Sequence, residues 1–561
     1  MFVAIAFIFF VIFLRLGYIQ IVWGKKLQTR ALEQWTRDLP VTADRGDITD
    51  TNGIVFASSG TSYTVYVRPN SVSNHSLIAE LLSQALKLSY QDVYDKVTAK
   101  ISENTIKRKI TVEEANLIRS YNLEGVYLAA DTSREYVYGD FLSQVLGFVS
   151  SDNTGQSGLE AYYDKYLRGV DGAILTPSDL VGKELEGESA YYTPPVSGLN
   201  VVTTIDFRIQ RVVENVLDLV MQGHSPKGAR CIVVNPQTGE VLAMSSKPSV
   251  DLNNLPRDNI GELMASTKNM LITDVYEPGS TFKVLTAAAM LEEYARGNPK
   301  AHSASYVFPN NANFRIVDGS RVKCWTTHTS SKHCNQNLGD ALNNSCNPIF
   351  TDIGLSLGKE TMYKYLSAFG YGAVSGIDFA GEQAGLLVAE SAVTNGDLAR
   401  ISFGQTIAVT PLQLAMATSA AVNGGLLMQP YLVKEIRTQE GELVKKFYPT
   451  VRQRAISEKV SRELAGLLEK VVTNGSGKQA YIEGFKVGGK TGTAQKYENG
   501  HIAVGKYVSS FVGFFPADNP QYLALMLVDE PTGAHYGSTV AAPYAKMIFQ
   551  QIINYKNLKP A

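Results

Sequence analysis

The sequence predicts an α+β protein with an anchored N-terminal region and a large C-terminal domain in which helices flank one antiparallel sheet. Three observations carry this prediction. An uncharged apolar run opens the chain, a polar stretch with Gly and Pro lies at residues 173–197, and strand patterns at both ends of the last block enclose a helical middle at about residues 280–475. Strands from both ends of one block favour a single sheet with helices packed on it.

The apolar run MFVAIAFIFFVIFL has 14 residues and is followed by Arg15 and the stretch LGYIQIVW. A helix needs roughly 20 apolar residues to span a bilayer. The run lacks the basic flank and the small-residue cleavage site of a secretory signal peptide. We therefore expect a membrane anchor over residues 1–23, truncated at its start, with the rest of the chain outside the cytoplasm. A buried core helix is the alternative.

Between the anchor and the polar stretch, the sequence predicts a separate mixed α/β domain over residues 24–190. Residues 25–38 look like an outward continuation of the anchor helix, and YTVYVRP alternates as a strand does. The segment GLEAYYDKYLRGVDG, residues 158–172, predicts a helix closed by glycines.

The second domain is expected over residues 198–557. LNVVTTIDFRIQRVVENVLDLVMQ predicts a strand and an amphipathic helix, and GARCIVVNPQTGEVLAMSS predicts a hairpin. Strands return in FKVGGKTGTAQKY, YVSSFVGFFPA and YLALMLVDE, and APYAKMIFQQIINY predicts the last helix. These elements are the basis of the predicted sheet.

Composition excludes one class of partner. The chain of 561 residues is 45% hydrophobic and 19% charged, with a net charge of −1. Such a balance gives no support to binding of nucleic acid, which needs a strong positive potential.

Three short motifs occur in order: Ser280-Thr281-Phe282-Lys283, Ser345-Cys346-Asn347 and Lys490-Thr491-Gly492-Thr493. Each motif alone is weak, and decoys occur at Ser356 and at Ser151. Together the set S-x-x-K, S-x-N and K-[ST]-G is shared by penicillin-binding proteins and class A β-lactamases. The decoys fail because Ser356 follows the S-x-N element and Ser151 lies in the first block.

The chemistry of these residue types explains the set. A serine hydroxyl is a poor nucleophile unless a base lies beside it, so we assign Ser280 as nucleophile and Lys283 as its base. A free lysine has a pKa of about 10.4, so burial or the positive charge of Lys490 must lower the pKa of Lys283. Ser345 would relay a proton to the leaving amine, and Asn347 would bind a substrate amide.

The last motif is assigned to substrate binding. Thr491 and Thr493 could hold a terminal carboxylate, while Gly489 and Gly492 would let a substrate lie against the strand backbone. An oxyanion needs backbone N–H donors, for which Ser280 and Thr493 are the candidates.

With these motifs in place, the chain resembles a class B penicillin-binding protein, a membrane-anchored peptidoglycan D,D-transpeptidase, of the division or sporulation branch. Further family-like segments are RGDITDTNG, SGLEAYYDKYLRG, VVNPQTGEVLAMSSKP, YEPGSTFK, FGQTIAVTPLQLA and GGKTGTAQK. The resemblance implies an elongated pedestal or dimerisation-like domain and a C-terminal transpeptidase domain. It also implies that Ser280 is acylated by the D-Ala-D-Ala end of a stem peptide, that a second stem's amine completes the crosslink, and that β-lactams inhibit.

The resemblance implies partners and a location as well. The expected partners are peptidoglycan stem peptides, β-lactams, a SEDS-type glycosyltransferase and other division proteins in the membrane. The catalytic domain is expected outside the cytoplasm of a single-pass membrane protein, at the division or spore septum, and no cofactor is expected for catalysis.

A local cluster of metal-binding residue types lies around the S-x-N motif, in VKCWTTHTSSKHCNQNLGDALNNSCN. Zinc takes four Cys or His ligands in a closed structural site, and some relatives carry a structural zinc at a similar pattern. The expected ligands are Cys324, His333 and Cys346, with Cys334 or His328 as the fourth. A Cys324–Cys334 disulfide and free thiols are the alternatives.

Rival functions use the same residues differently. A D,D-carboxypeptidase would pass the acyl group to water, and a β-lactamase would need a deacylating Glu motif that the sequence does not show. A penicillin-sensing receptor would need a cytoplasmic signalling part, which the sequence does not show. A non-catalytic penicillin-binding division scaffold would be expected to have lost a motif residue, and all of them are present here.

Overall fold

The structure is a computed structural model that describes residues 2–21, 23, 36–177, 191–309, 312–328, 333–498 and 501–560. The chain forms two compact units. The first comprises Met1–Asp47, Ser58–Glu135 and Lys165–Leu199, and the second comprises Ile48–Ala57, Tyr136–Asp164 and Asn200–Ala561.

The N-terminal helix spans Phe2–Ile21. In the part of the chain that the structure describes, no helix combines the length and the apolarity needed to cross a membrane. The anchor over residues 1–23 stays a prediction. The predicted helical continuation over residues 25–38 lies mostly outside the described residues, and its last three residues belong instead to the strand Thr36–Val41.

The first unit is mixed α/β in structure, but it is not the continuous domain predicted over residues 24–190, because Ile48–Ala57 and Tyr136–Asp164 belong to the second unit. Helices pack on strands around an aliphatic core that includes Val65, Leu82 and Ile106. The helices of this part of the chain are His75–Leu86, Tyr90–Val97 and Val112–Tyr121, and a 3₁₀ turn lies at Pro69–Ser71. The strands here are Thr36–Val41, Val55–Val67, Asn104–Ile110, Val126–Tyr136, Gly172–Pro177 and Tyr191–Thr193.

A five-stranded antiparallel sheet organises the second unit, as predicted. Its strands, in spatial order, are Val241–Lys247, Gly228–Val234, Tyr522–Asp529, His501–Phe515 and Gly488–Glu498. The predicted hairpin forms its first two strands, and the three late strands complete it. Gly488–Glu498, which carries the K-T-G motif, is therefore an edge strand with one side free of sheet partners.

Both faces of this sheet are covered by helices. Phe207–His224 and Ala542–Lys556 pack on one face around a core that includes Phe511, Phe515 and Phe549. Pro411–Val422 packs on the other face and contacts Lys283–Ala295. That helix is buried from Lys283 to Glu293, which explains its apolar sequence.

The remaining elements of the second unit frame the motifs. Its other helices are Ser143–Leu146, Gly158–Tyr162, Ile260–Thr267, Met270–Thr273, Leu338–Asn343, Asn347–Leu357, Lys359–Ala368, Asn395–Ile401, Glu458–Asn474 and Gly537–Val540. The 3₁₀ turns are Gly279–Phe282, Glu390–Ala392 and Lys478–Ala480. The smaller strands are Ile48–Thr49, Asn200–Thr203, Phe314–Val317, Ser320–Lys323, Leu426–Met428, Val433–Arg437, Leu443–Lys446 and Val451–Arg454.

Two sequence predictions need correction here. The single helix expected over residues 158–172 is broken into Gly158–Tyr162 and Asp164–Leu167, and a strand begins at Gly172. The helical middle also contains hairpins at Phe314–Lys323 and strands between Leu426 and Arg454. Short strands with charged, alternating sequences have weak hydrophobic patterns, so they were missed.

Phe549 offers a test of the sheet–helix core, because its side chain is fully buried and its ring lies 4.9 Å from that of Phe515. We expect Phe549→Ala to lower the free energy of unfolding by about 3–5 kcal/mol, since the cavity loses both burial and contacts. Met547→Ala, on the exposed side of the same helix, is the control and should change it by less than about 1 kcal/mol. Equal losses in urea unfolding of the two variants would contradict this packing.

Candidate active site

Ser280 lies in a 3₁₀ turn, Gly279–Phe282, directly before the α-helix Lys283–Ala295. The sequence predicts Ser280 in the first α-helical turn, so the tighter turn is a refinement of that prediction. The turn is held against a neighbouring loop, because the N–H of Gly279 donates to the carbonyl oxygen of Gly404 at 2.9 Å. A Cβ on Gly404, whose φ is +85°, would lie 2.1 Å from the carbonyl oxygen of Gly279, so this approach requires glycine.

The amino group of Lys283 is the centre of the site. Its Nζ lies 3.1 Å from Oγ of Ser280 and 3.1 Å from Oγ of Ser345. It also donates to the carbonyl oxygen of Ser345 at 2.8 Å and to Oδ1 of Asn347 at 2.7 Å. The structure thus brings together the members of the first two motifs as the sequence predicts.

The hydrogen-bond partners of Lys283 suit a neutral amine that can act as a base. The carbonyl oxygen of Ser345 and Oδ1 of Asn347 can only accept, and two N–H groups of a neutral amine satisfy both. The lone pair of the amine then remains for a hydroxyl, and Oγ of Ser280 is within reach. A neutral Lys283 in this geometry can take the proton of the Ser280 hydroxyl.

Lys490 is the second buried lysine of the site. Its Nζ donates to Oγ of Ser345 at 3.0 Å and to the carbonyl oxygen of Thr491 at 3.0 Å. Burial lowers the pKa of Lys490 well below its usual value, and the charge of Lys283 lowers it further. Two ammonium groups sharing one hydroxyl oxygen inside the protein repel each other, which favours loss of a proton from one of them.

Burial also lowers the pKa of Lys283, to about 8, although negative charge on Cys324 and Cys346 acts in the opposite direction. The side chain is completely excluded from solvent, and its Nζ lies 5.3 Å from the centre of the Phe350 ring. The sequence analysis predicts a lowered pKa for Lys283, and the removal of its amino group from water is the main cause of that lowering.

Ser345 owes its position to an uncommon backbone conformation. Its φ is +52°, in the left-handed region that residues other than Gly and Asn seldom adopt. The residue lies between the helices Leu338–Asn343 and Asn347–Leu357. This kink directs both the carbonyl oxygen and Oγ of Ser345 toward Lys283, so the strain serves the site.

The edge strand forms one wall of a cleft with a volume of about 570 Å³. Thr491, Gly492 and Thr493 line it together with Ser280, Ser345 and Asn347. Alternate residues of an edge strand turn their N–H and C=O groups outward, which suits an extended peptide ligand.

The glycines of the edge strand also have a packing role, beside the predicted one, which stays a prediction. A Cβ on Gly489 would lie 2.6 Å from Cζ of Phe511, and one on Gly492 would lie 2.4 Å from Oγ of Ser510. Close packing inside the protein therefore requires glycine at both positions, whatever a ligand does. The hydroxyl of Thr493 accepts a hydrogen bond from the N–H of Gly537 at 3.0 Å, which joins the next loop to the strand.

Several cleft residues were not predicted from the sequence. They share no short motif and come from separate segments. They are Arg321, Lys323, Trp325, Arg400, Phe403, Gln405, Ser476, Gln495, Tyr507, His535, Tyr536 and Ser538. One signal was available, because Asp318-Gly319 between short alternating runs is typical of a hairpin turn and precedes Arg321 and Lys323 directly.

The Cys/His cluster assembles behind the S-x-N motif. The ligand atoms of Cys324, His328, His333 and Cys346 all lie within 4.8 Å of one another. Sγ of Cys346 is 3.8 Å from Nε2 of His328, and Sγ of Cys324 is 4.0 Å from Nδ1 of His333. Three predicted members are present, and His328 is the fourth.

Cys334 is therefore a correction, since it lies outside this group among the described residues. His333 has a φ of +64°, and this turn directs the side chains of 333 and 334 differently. None of the four cysteines takes part in a disulfide, so the alternative Cys324–Cys334 disulfide is not formed. The hydrogen bond between Cys346 and Cys324 lowers the pKa of Cys324 and raises that of Cys346.

Comparison with known families matches both units. Residues 229–553 match the penicillin binding protein transpeptidase domain, and residues 40–203 match the penicillin-binding protein dimerisation domain.

Whole-chain relatives agree. Stage V sporulation protein D of Bacillus subtilis is 40% identical over 559 residues, which cover 99% of this chain and 84% of that protein. Peptidoglycan D,D-transpeptidase FtsI of Escherichia coli is 26% identical over 559 residues, which cover 97% of this chain and 89% of that protein.

Solved structures show the same fold. A peptidoglycan synthetase from Bifidobacterium adolescentis superposes with a TM-score of 0.74 at 24% identity, covering 94% of this chain and 98% of that chain. Penicillin Binding Protein 2X from Streptococcus thermophilus has a TM-score of 0.74 at 24% identity, over 92% of this chain and 80% of that chain. At this identity the likeness concerns the fold alone.

The lowered pKa of Lys283 predicts how acylation of Ser280 depends on pH. Only the neutral amine can accept the proton, so the acylation rate should rise by up to about tenfold per pH unit below pH 8 and level off above it. The measurement is the second-order rate constant for reaction with a β-lactam between pH 6 and pH 10, corrected for hydrolysis without protein. A rise that begins only near pH 10 would contradict a desolvated Lys283.

Proposed function

The chain belongs to the class B penicillin-binding proteins, in the division and sporulation branch of this family of serine acyltransferases, and from that premise we propose that it crosslinks peptidoglycan stem peptides as a D,D-transpeptidase. The observation that carries the proposal is the position of Lys283 Nζ, 3.1 Å from Oγ of Ser280 and bonded to both residues of the S-x-N motif. A nucleophile and a buried base in contact are the minimum for acyl transfer through serine.

The first half-reaction is acylation. Oγ of Ser280 attacks the carbonyl carbon of the penultimate D-Ala, and its proton passes to Lys283. The N–H groups of Ser280 and Thr493 stabilise the oxyanion. When the C–N bond breaks, the proton returns through Ser345 to the amine of the leaving D-Ala.

The second half-reaction transfers the acyl group. The amine of another stem attacks the ester carbonyl, the C–O bond to Ser280 breaks, and the serine hydroxyl recovers a proton through Lys283. Lys490, Thr491 and Thr493 hold the terminal carboxylate of the donor, which lies along the edge strand. Every proton transfer uses a side chain of this protein, so the scheme needs no cofactor.

The Cys/His cluster is proposed to hold a structural zinc through Cys324, His328, His333 and Cys346. Two sulfurs and two ring nitrogens within 4.8 Å of one another match the donor set and approximate size of a tetrahedral zinc site. Among the described residues, the buried Nδ1 of His328 has no hydrogen-bond partner, which is compatible with a role in binding a ligand. When bound, the metal would tie the loop of Cys324 to the S-x-N motif and contribute no reactive group.

The placement in the cell is also part of the proposal. Residues 1–23 would anchor the chain in the membrane, residues 24–190 would form the pedestal, and residues 198–557 would act outside the cytoplasm at the division or spore septum. A SEDS-type glycosyltransferase and other division proteins would be the partners there, as the relatives named for FtsI and sporulation suggest.

The proposed nucleophile can be tested by substitution. Ser280→Ala should abolish covalent labelling by a fluorescent penicillin, because the other cleft hydroxyl beside Lys283, that of Ser345, accepts a hydrogen bond from Lys490 at 3.0 Å and is assigned to proton relay. Ser356→Ala is the matched control, since Ser356 begins the decoy S-x-x-K and its hydroxyl donates to the carbonyl oxygen of Lys300 instead. Labelling that survives Ser280→Ala would overturn the assignment.

Product analysis then separates crosslinked stems from the hydrolysed stems of a carboxypeptidase, and a scaffold would give neither.

The proposed zinc site can be tested by its metal content. Purified, reduced protein should contain about one zinc per chain, and Cys346→Ser should contain almost none, because a structural site needs all four ligands. Cys334→Ser, outside the cluster, should keep the metal. A metal content near zero in untreated wild-type protein, or an equal loss in Cys334→Ser, would contradict the proposed ligand set.

A further inference from the structure

The charge of the cleft is unbalanced. Its lining contains the cations Arg321, Lys323 and Arg400, and no Asp or Glu among the residues that the structure describes. The two motif lysines are completely buried and do not belong to this exposed set. A cleft lined by one sign of charge attracts ligands of the opposite sign.

The hairpin Phe314–Lys323 supplies two of the three cations. Its two-residue turn, Asp318 and Gly319, has φ values of +48° and +73°, the geometry of a tight hairpin turn. Arg321 and Lys323 are two residues apart and share one face of the strand, while Val322 between them is buried.

Arg400 approaches the same end of the cleft from the helix Asn395–Ile401. This helix is tied to the hairpin, because the N–H of Gly396 donates to Oδ2 of Asp318 at 2.7 Å. The three cations therefore come from two elements that a direct hydrogen bond holds together.

The three cationic side chains have N–H groups that can still donate to a ligand. The guanidinium of Arg321 stacks 3.7 Å from the centre of the Phe314 ring, which leaves its N–H edge open. Arg315 on the same hairpin behaves differently, since it binds both carboxylate oxygens of Asp352 at 2.6 and 2.8 Å. Within the described parts of the chain, neither Arg321 nor Lys323 forms an ion pair.

Arg400 is similarly available. Its Nη1 donates to the carbonyl oxygen of Gly396 at 3.1 Å, and no carboxylate of the described chain forms an ion pair with it. The nearest acids are engaged elsewhere. Asp318 accepts from Gly396, and hydrogen bonds from Thr394, with a smaller effect of the Arg400 charge, lower the pKa of Asp397.

This cationic group is separate from the edge strand to which the donor's terminal carboxylate is assigned. It is nevertheless linked to the reacting centre, because Nδ2 of Asn347 donates to the carbonyl oxygen of Lys323 at 3.1 Å. Asn347 in turn accepts from Lys283 at 2.7 Å. An anionic group here would belong to a part of the substrate close to the scissile amide.

We propose that Arg321, Lys323 and Arg400 bind a second carboxylate of the donor, carried by a side chain upstream of the residue that acylates Ser280. The inference rests on the proposed function and adds a substrate preference to it. Donors that present this group as a carboxylate are preferred over donors in which it is neutral or amidated. Guanidinium groups suit this role because they can bind both oxygens of a carboxylate.

Benzylpenicillin and carbenicillin provide a matched pair of probes. Both share the ring carboxylate, and carbenicillin adds one carboxylate on its acyl side chain. The ratio of their second-order acylation rate constants therefore isolates recognition of the second carboxylate. It is measured in wild type, in Arg321→Gln, Lys323→Gln and Arg400→Gln, and in the triple variant.

We expect the ratio of carbenicillin to benzylpenicillin to fall about fivefold in the triple variant and by smaller factors in the single variants, as for the loss of charge-assisted hydrogen bonds at a partly exposed site. Arg452→Gln, at an exposed residue of the strand Val451–Arg454, removes the same net charge as each single cleft variant, outside the cleft, and should leave the ratio unchanged.

A ratio that stays within twofold of wild type in all four cleft variants would overturn this proposal and leave the acyl-serine function intact. A ratio that falls equally in Arg452→Gln would also overturn it, because the effect would then come from overall charge. Wild-type protein that reacts with neither penicillin would contradict the proposed function, and this inference with it.

Discussion

The site depends on one constraint, the burial of two lysine amino groups against a single serine hydroxyl. Nζ of Lys283 and Nζ of Lys490 both lie within 3.1 Å of Oγ of Ser345. Removed from water and close to each other, the two amines cannot both be fully charged. Burial lowers the pKa of both amines, that of Lys283 to about 8, so a neutral Lys283 could serve as the base for Ser280.

The surrounding fold holds the two lysine amino groups of Lys283 and Lys490 in place. The five-stranded sheet supplies Lys490 from its edge strand, and helix Lys283–Ala295, buried among other helices, supplies Lys283. Ser345 joins them only because its backbone adopts a positive φ between two helices. The positive φ of Ser345 and the burial of two lysines lower the stability of the folded state locally. The packing of the sheet and helices offsets this loss.

The two proposals about metal and substrate concern opposite sides of the same loop. Cys346 lies in the Cys/His cluster, while its neighbours Ser345 and Asn347 face the lysines. Cys324 continues from the hairpin that carries Arg321 and Lys323. A structural metal would therefore stiffen the connection between the S-x-N motif and the cationic end of the cleft, since one short segment takes part in both.

The sequence by itself determined the strands of the five-stranded sheet and predicted the site residues of the three motifs, because hydrophobic periodicity and short motifs are local signals. It also indicated three of the four clustered Cys and His residues. Only the tertiary structure decided that His328 and not Cys334 completes that cluster, that packing against Phe511 and Ser510 accounts for Gly489 and Gly492, and that Arg321, Lys323 and Arg400 meet at one end of the cleft. These outcomes depend on turns with positive φ and on contacts between distant segments. No spacing along one chain encodes such contacts, because they form only when separate elements pack together.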